Sequence, residues 1–71
     1  MSPSHELVIA KVVARLHDQD PRVRRNAVGV LRLNGRPAVV AIPELQKLLR
    51  DEDPLVRNEA RRTLDELRAV A

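Results

Sequence analysis

Apolar side chains recur along this chain at helical spacing, and no stretch shows the alternation of a strand. The clearest stripe is the last one. From Pro54 onward Val56, Ala60, Thr63, Leu64, Leu67 and Val70 share one side of a helix, while Arg57, Asn58, Arg61, Arg62 and Asp65 take the other. An equivalent stripe of Val23, Ala27, Val30 and Leu31 predicts a helix from Pro21 to about Leu33, stopped near Asn34-Gly35. Upstream of each lies another helix. One runs from about Pro3 to His17, the other from about Pro37 to Arg50 with Ala38, Ala41, Ile42, Leu45, Leu48 and Leu49 as its buried stripe. Pro43 interrupts the latter, because proline removes a helical donor and crowds the preceding turn. It predicts a kink, or a short turn ending near Ile42 and a helix restarting at Pro43.

Sliding the chain on itself by 33 residues superposes Leu16-His17-Asp18-Gln19-Asp20-Pro21-Arg22-Val23-Arg24 on Leu49-Arg50-Asp51-Glu52-Asp53-Pro54-Leu55-Val56-Arg57. Ile9 falls on Ile42, Ala27 on Ala60 and Leu31 on Leu64, so the identities are one turn motif plus apolar positions. A period of this length signals stacked helical units. In each copy the Asp-Pro step reads as a helix start: the aspartate oxygen accepts from free first-turn amides, and proline at the first helical position lacks only a donor that has no partner there. Asp20 and Asp53 are the predicted caps.

The run Gly35-Arg36-Pro37-Ala38-Val39-Val40-Ala41-Ile42-Pro43-Glu44-Leu45, with Leu48-Leu49-Arg50-Asp51-Glu52-Asp53-Pro54-Leu55-Val56-Arg57-Asn58-Glu59-Ala60, resembles a HEAT repeat of the short type found in phycobilin-lyase-like proteins. The resemblance covers nearly the whole chain. It implies an all-α fold, an α-solenoid of two HEAT-like helix pairs with four helices in stacked antiparallel hairpins. The chain is then a single domain over residues 1–71, with repeat one at about 3–34 and repeat two at about 36–70. The resemblance also implies outer helices packed on inner ones, binding on the inner face, and Arg24 and Arg57 paired with turn aspartates of their own or a neighbouring repeat. By the logic of exposed pairs such contacts fix geometry more than they add stability. Lyase activity does not follow from it, since this repeat type serves scaffolds of many kinds. An accessory role in bilin chemistry is the weakest of the functional expectations. Two slots depart from the pattern: Asn34 stands where the second copy has Leu67, and Arg15 where it has Leu48. The first helix pair is therefore expected to end a turn early.

Composition narrows the chemistry. At 71 residues the chain buries roughly 60% of the surface it exposes unfolded, so regular packing or self-association must supply stability. Cysteine is absent, which excludes disulfides and leaves only His5, His17 and scattered carboxylates as metal ligands. No cofactor is expected. Without thiol, phosphate-cradling glycine loop or serine–histidine arrangement, neither is catalysis. The N-terminal Met1 to Glu6 stretch carries no basic leader, and Lys11 and Arg15 break the following apolar run short of a membrane span. The cytoplasm is the default location, with no membrane partner.

Phe, Tyr and Trp are also missing, so no base can stack on an aromatic platform. The net charge of +3 admits a polyanion, and Arg22, Arg25, Arg32, Arg36, Arg61 and Arg62 could line an inner surface that binds nucleic acid. Acids interspersed among these arginines favour a solvated face instead. His17 beside Asp18 and Asp20 reads as a surface histidine, and Asp51-Glu52-Asp53 as an acidic cap and not a calcium loop. The leading helix is the informative one. Val8, Ile9, Val12, Val13 and Leu16 form a broad arc that Leu7, Ala10 and Ala14 extend, and only Lys11 and Arg15 give it a clearly polar side. The C-terminal helix has a polar outward face and this one does not. A protein partner is expected, another copy of the chain above all, docking through Leu7, Ala10, Val13 and Ala14 as a symmetric dimer.

Overall fold

The computed structural model describes the backbone of residues 3–71 and the side chains of residues 6–71. Met1, Ser2 and the side chains of Pro3, Ser4 and His5, on which the expectation for the N-terminal stretch rests, lie outside the described residues. The described residues contain four α-helices and no strand: α1 (Pro3–Arg15), α2 (Pro21–Asn34), α3 (Ile42–Lys47) and α4 (Pro54–Val70). Two 3₁₀ segments, Arg36–Ala41 and Leu48–Arg50, flank α3.

Both Asp-Pro steps start helices as the sequence predicts. Asp20 accepts from the Arg22 amide at 2.8 Å, and Asp53 from the amides of Leu55 and Val56 at 2.8 and 3.1 Å. At the other end of α2, Gly35 adopts φ 66° and ψ −131° and its amide closes on the Arg32 carbonyl. Asn34 turns its side-chain amide back to the Val30 carbonyl at 2.8 Å. The helix ends there, whereas α4 continues through the slots of Leu67 and Val70, so a polar residue in place of Leu67 does shorten the first pair.

The third helix is composite. Pro43 lies in the first turn of α3, where its missing donor is harmless, and the preceding residues tighten into the 3₁₀ segment Arg36–Ala41. This is the restart at Pro43 and not a bend of one continuous helix. The first helix stops at Arg15 and not His17. Leu16, His17 and Asp18 close instead by three-residue bonds to the carbonyls of Val13, Ala14 and Arg15.

α1 packs on α2, α2 on α4 and α3 on α4, while the Arg36–Ala41 segment touches α1, α2 and α4. One aliphatic core runs through all of them, from Ile9, Val12 and Leu16 through Ala27, Val28 and Leu31 to Leu45, Val56, Leu64 and Leu67. Three expectations are corrected here. Leu49 is 36% exposed although its counterpart Leu16 is buried, and Val70 is 40% exposed at the helix end. Val8, on the apolar arc of the leading helix, is 46% exposed, in keeping with the reading of that arc as open. Val28, left out of the predicted stripe of α2, is fully buried because α4 packs against that side as well.

Candidate interaction surface

The joint between the two helix pairs is built around one arginine. Arg24 is buried. Its Nη1 donates to the carbonyls of Asp18 and Gln19 in its own turn, at 2.8 and 3.0 Å. Its Nε and Nη2 donate to the two carboxylate oxygens of Asp51 in the other turn, each at 2.9 Å. Burial would push the Asp51 carboxyl up. The Arg24 guanidinium, the Asp53 amide on Asp51 Oδ1 and the charge of Arg57 outweigh it and hold the group below its ordinary 3.8. The same pair raises Arg24. The pairing of Arg24 with a neighbouring turn is as the resemblance implied, but the contact is no exposed pair, because both side chains are removed from water. Arg57, at the matching place in the second pair, makes only the bond within its own turn, from Nη1 to the Asp51 carbonyl at 2.6 Å.

Comparing each position with its counterpart 33 residues on shows which faces are covered. Ala41, Leu45, Leu48, Val56, Ala60 and Thr63 of the second pair are all buried. The second pair meets the first through the packing of α2 on α4, and Leu48 shares a hollow with Leu16 and Arg24. Their counterparts are Val8, Val12, Arg15, Val23, Ala27 and Val30. Of these, Val8 and Arg15 are exposed and Val23 and Val30 half-buried, while Val12 and Ala27 are buried within the first pair itself. Five of the six, Val8 excepted, line an open groove of about 830 Å³ formed mainly by α1 and α2, rimmed by Asp20, Arg22, Arg25 and Asn26 and reached by Glu59 of α4. The opposite, trailing face belongs to the second pair. There Leu49 is part-exposed, and Gln46 and Arg61 stand where the first pair has Val13 and the buried Val28.

The four residues predicted for the interface do not share one surface. Leu7 is 64% exposed and Ala10 and Ala14 are exposed, but so are their counterparts Val40, Pro43 and Lys47, which marks an outward side common to both pairs. Val13 packs against the core. The groove has the buried Val12 and Ala27 at its floor and the half-buried Val23 and Val30 in its wall, and the periodicity of one helix taken alone does not reveal it because α2 contributes much of it.

The arginines do not form one basic field. Arg22 is forked onto Asp20, with Nη2 to Oδ2 at 3.0 Å and Nε to Oδ1 at 3.3 Å. That contact, with the Arg22 amide, lowers the Asp20 carboxyl and raises Arg22. Arg32 and Arg62 converge on Glu66 at 3.7 and 3.8 Å. Arg25, Arg36 and Arg61 are exposed. His17 meets Glu44 at 3.2 Å on the surface, and Glu44 also holds Lys47. Among the described residues no group of three or more His, Asp or Glu is placed to hold a metal ion, and no helix is long and apolar enough to cross a membrane.

Compared with known protein families, residues 9–71 match the HEAT repeats. The match is to HEAT repeats in general and does not single out the phycobilin-lyase type. No curated protein and no solved structure matches the chain.

Proposed function

The chain belongs to the HEAT-repeat family, and from that premise we propose that it is a protein-interaction module whose docking surface is the open groove of its first repeat. HEAT repeats generally mediate protein–protein interaction or scaffolding, and the family is typically non-catalytic. One observation carries the reading: the groove residues Val23 and Val30 are only half-buried at positions whose counterparts Val56 and Thr63 are fully buried in the second repeat. A face with the shape and side chains of a repeat junction is suited to another helical surface. The partner we favour is a second copy of this chain, bound at its N-terminal side as the composition of α1 suggests. Pairing of Arg22, Arg32 and Arg62 with carboxylates weighs against the anion-binding alternative. Lacking cysteine, the chain needs no oxidising compartment, and the cytoplasm is where we place it.

Sedimentation velocity of the Val23→Glu/Val30→Glu double variant tests the surface. Both side chains are half-buried at the rim of the core, so circular dichroism must first show an unchanged helical spectrum. The proposal expects association to be lost relative to the unsubstituted chain. Association that persists at the same concentrations, in a folded variant, overturns it.

A further inference from the structure

The ladder between the two turns has one completed rung and two open halves. In the completed rung Arg24 donates to its own turn and forks onto Asp51, whose Oδ1 also receives the Asp53 amide at 2.9 Å. At the trailing end Arg57 repeats the own-turn bond to the Asp51 carbonyl. Its Nε and Nη2, the atoms with which Arg24 binds a carboxylate, make no hydrogen bond among the described residues. At the leading end Asp18 repeats the fold of Asp51: its Oδ1 receives the Asp20 amide at 2.9 Å. No arginine of another turn reaches it among the described residues. Asp18 is exposed, whereas the Asp51 side chain is largely covered. A donor and an acceptor of matching geometry thus stand on opposite faces of one molecule.

Resting on the docking reading above, we propose that the groove of one copy receives the trailing face of a second copy, so that chains stack head to tail with Arg57 of one forked onto Asp18 of the next. The first repeat seated on the second is the template for this joint. Leu49, part-exposed, takes the place that Leu16 holds inside the chain. Arg61 and Gln46, in place of Val28 and Val13, and Arg15, in place of Leu48, put polar groups into a junction that is aliphatic within the chain. They make the joint between copies weaker than the one within a copy, and association depends on concentration. Because the two faces differ, the contact is heterologous: its smallest form is a pair with one free face at each end, and further copies add head to tail.

Charge exchange tests the pairing. Asp18→Arg alone places two arginines at every joint, and Arg57→Asp alone places two aspartates there. Each is expected to raise the dissociation constant about tenfold or more, because a desolvated charge pair is replaced by like charges. In an equimolar mixture, stacks that alternate the two variants have an opposite charge pair at every joint, and association recovers in sedimentation velocity, as it does in the Asp18→Arg/Arg57→Asp double variant. Arg61→Val, which disturbs neither turn, is expected to strengthen association. The proposal is overturned if the mixture associates no better than its components while both are folded, if Arg61→Val leaves association unchanged, or if the unsubstituted chain stays monomeric at millimolar concentration. It is likewise overturned if sedimentation reaches a closed dimer with no larger species. Should Val23→Glu/Val30→Glu abolish association and the charge exchange have no effect, the groove is the docking surface and the head-to-tail occupant is wrong.

Discussion

Arg24 and Asp51, 27 residues apart in sequence, meet in a two-bond fork that closes the junction between the two helix pairs. Neither is replaceable alone. Arg24→Met leaves a carboxylate facing an aliphatic junction, and Asp51→Leu leaves a guanidinium there. Both single variants are expected to lower the urea midpoint well beyond the effect of breaking the exposed Arg22–Asp20 pair. The double variant Arg24→Met/Asp51→Leu is expected to recover part of the loss, because no uncompensated charge remains. A double-mutant cycle in urea measures the coupling, and additive single effects contradict the account.

Acid should act on the same junction. The folded Asp51 and Asp20 carboxyls are both held below 3.8, so the unfolded chain takes up protons first. Their stabilisation is fully present above the unfolded value and is lost as pH falls from 3.8 through the lower folded values. Thermal melts between neutral pH and about pH 2 should show the midpoint falling in that window. In Asp51→Asn the starting midpoint is lower and the fall shallower.

The two helix caps offer a smaller, local effect. Asp53 satisfies two amides of α4 with one oxygen, and Asp53→Ala is expected to cost about 1 kcal/mol in chemical denaturation, with Asp53→Asn close to the unsubstituted chain.

The two glycines predict opposite signs for one substitution. Gly35, at φ 66° and ψ −131°, occupies backbone space that an L side chain tolerates poorly, and Gly35→Ala should destabilise by about 1–3 kcal/mol. Gly29 lies inside α2 with open space around its Cα, so Gly29→Ala should stabilise by about 0.5–1 kcal/mol through the unfolded state. Gly29 also lines the groove, so the same substitution is expected to alter association while improving the fold.

Two leucines two positions apart on α2 separate core from surface. Leu31 is fully buried and Leu33 is 78% exposed. Leu31→Ala is expected to cost about 2–5 kcal/mol, and Leu33→Ala to stay within about 0.5 kcal/mol.

The Asp-Pro starts, the shortened α2 and an interruption at Pro43 were legible because each depends on a backbone rule that a few neighbouring residues decide. The aliphatic stripes were legible for the same reason. Leu16 and Leu49 show where that logic stops: they are identical residues at matching positions, yet one is sealed and the other meets solvent. The difference lies in what stacks against each pair, and a sequence compared with itself carries no mark of position within a stack. Arg24 was misplaced on the surface for a related reason. The resemblance implied a turn aspartate of its own or a neighbouring repeat as partner, and a charged pair in a turn reads as exposed, whereas packing of the two turns seals both side chains. The groove eluded the sequence because its walls belong to two helices whose relative rotation only packing decides.

The offset between ladder partners has a consequence for how such chains grow. Because the arginine of each unit bonds the aspartate of the following one, a tandem duplication of 33 residues copies a donor and an acceptor together. Lengthening or trimming by whole units therefore preserves every internal rung and relocates only the two unmatched ends. A genome can alter the reach of such a protein in single events, with no compensating substitution at the new seam.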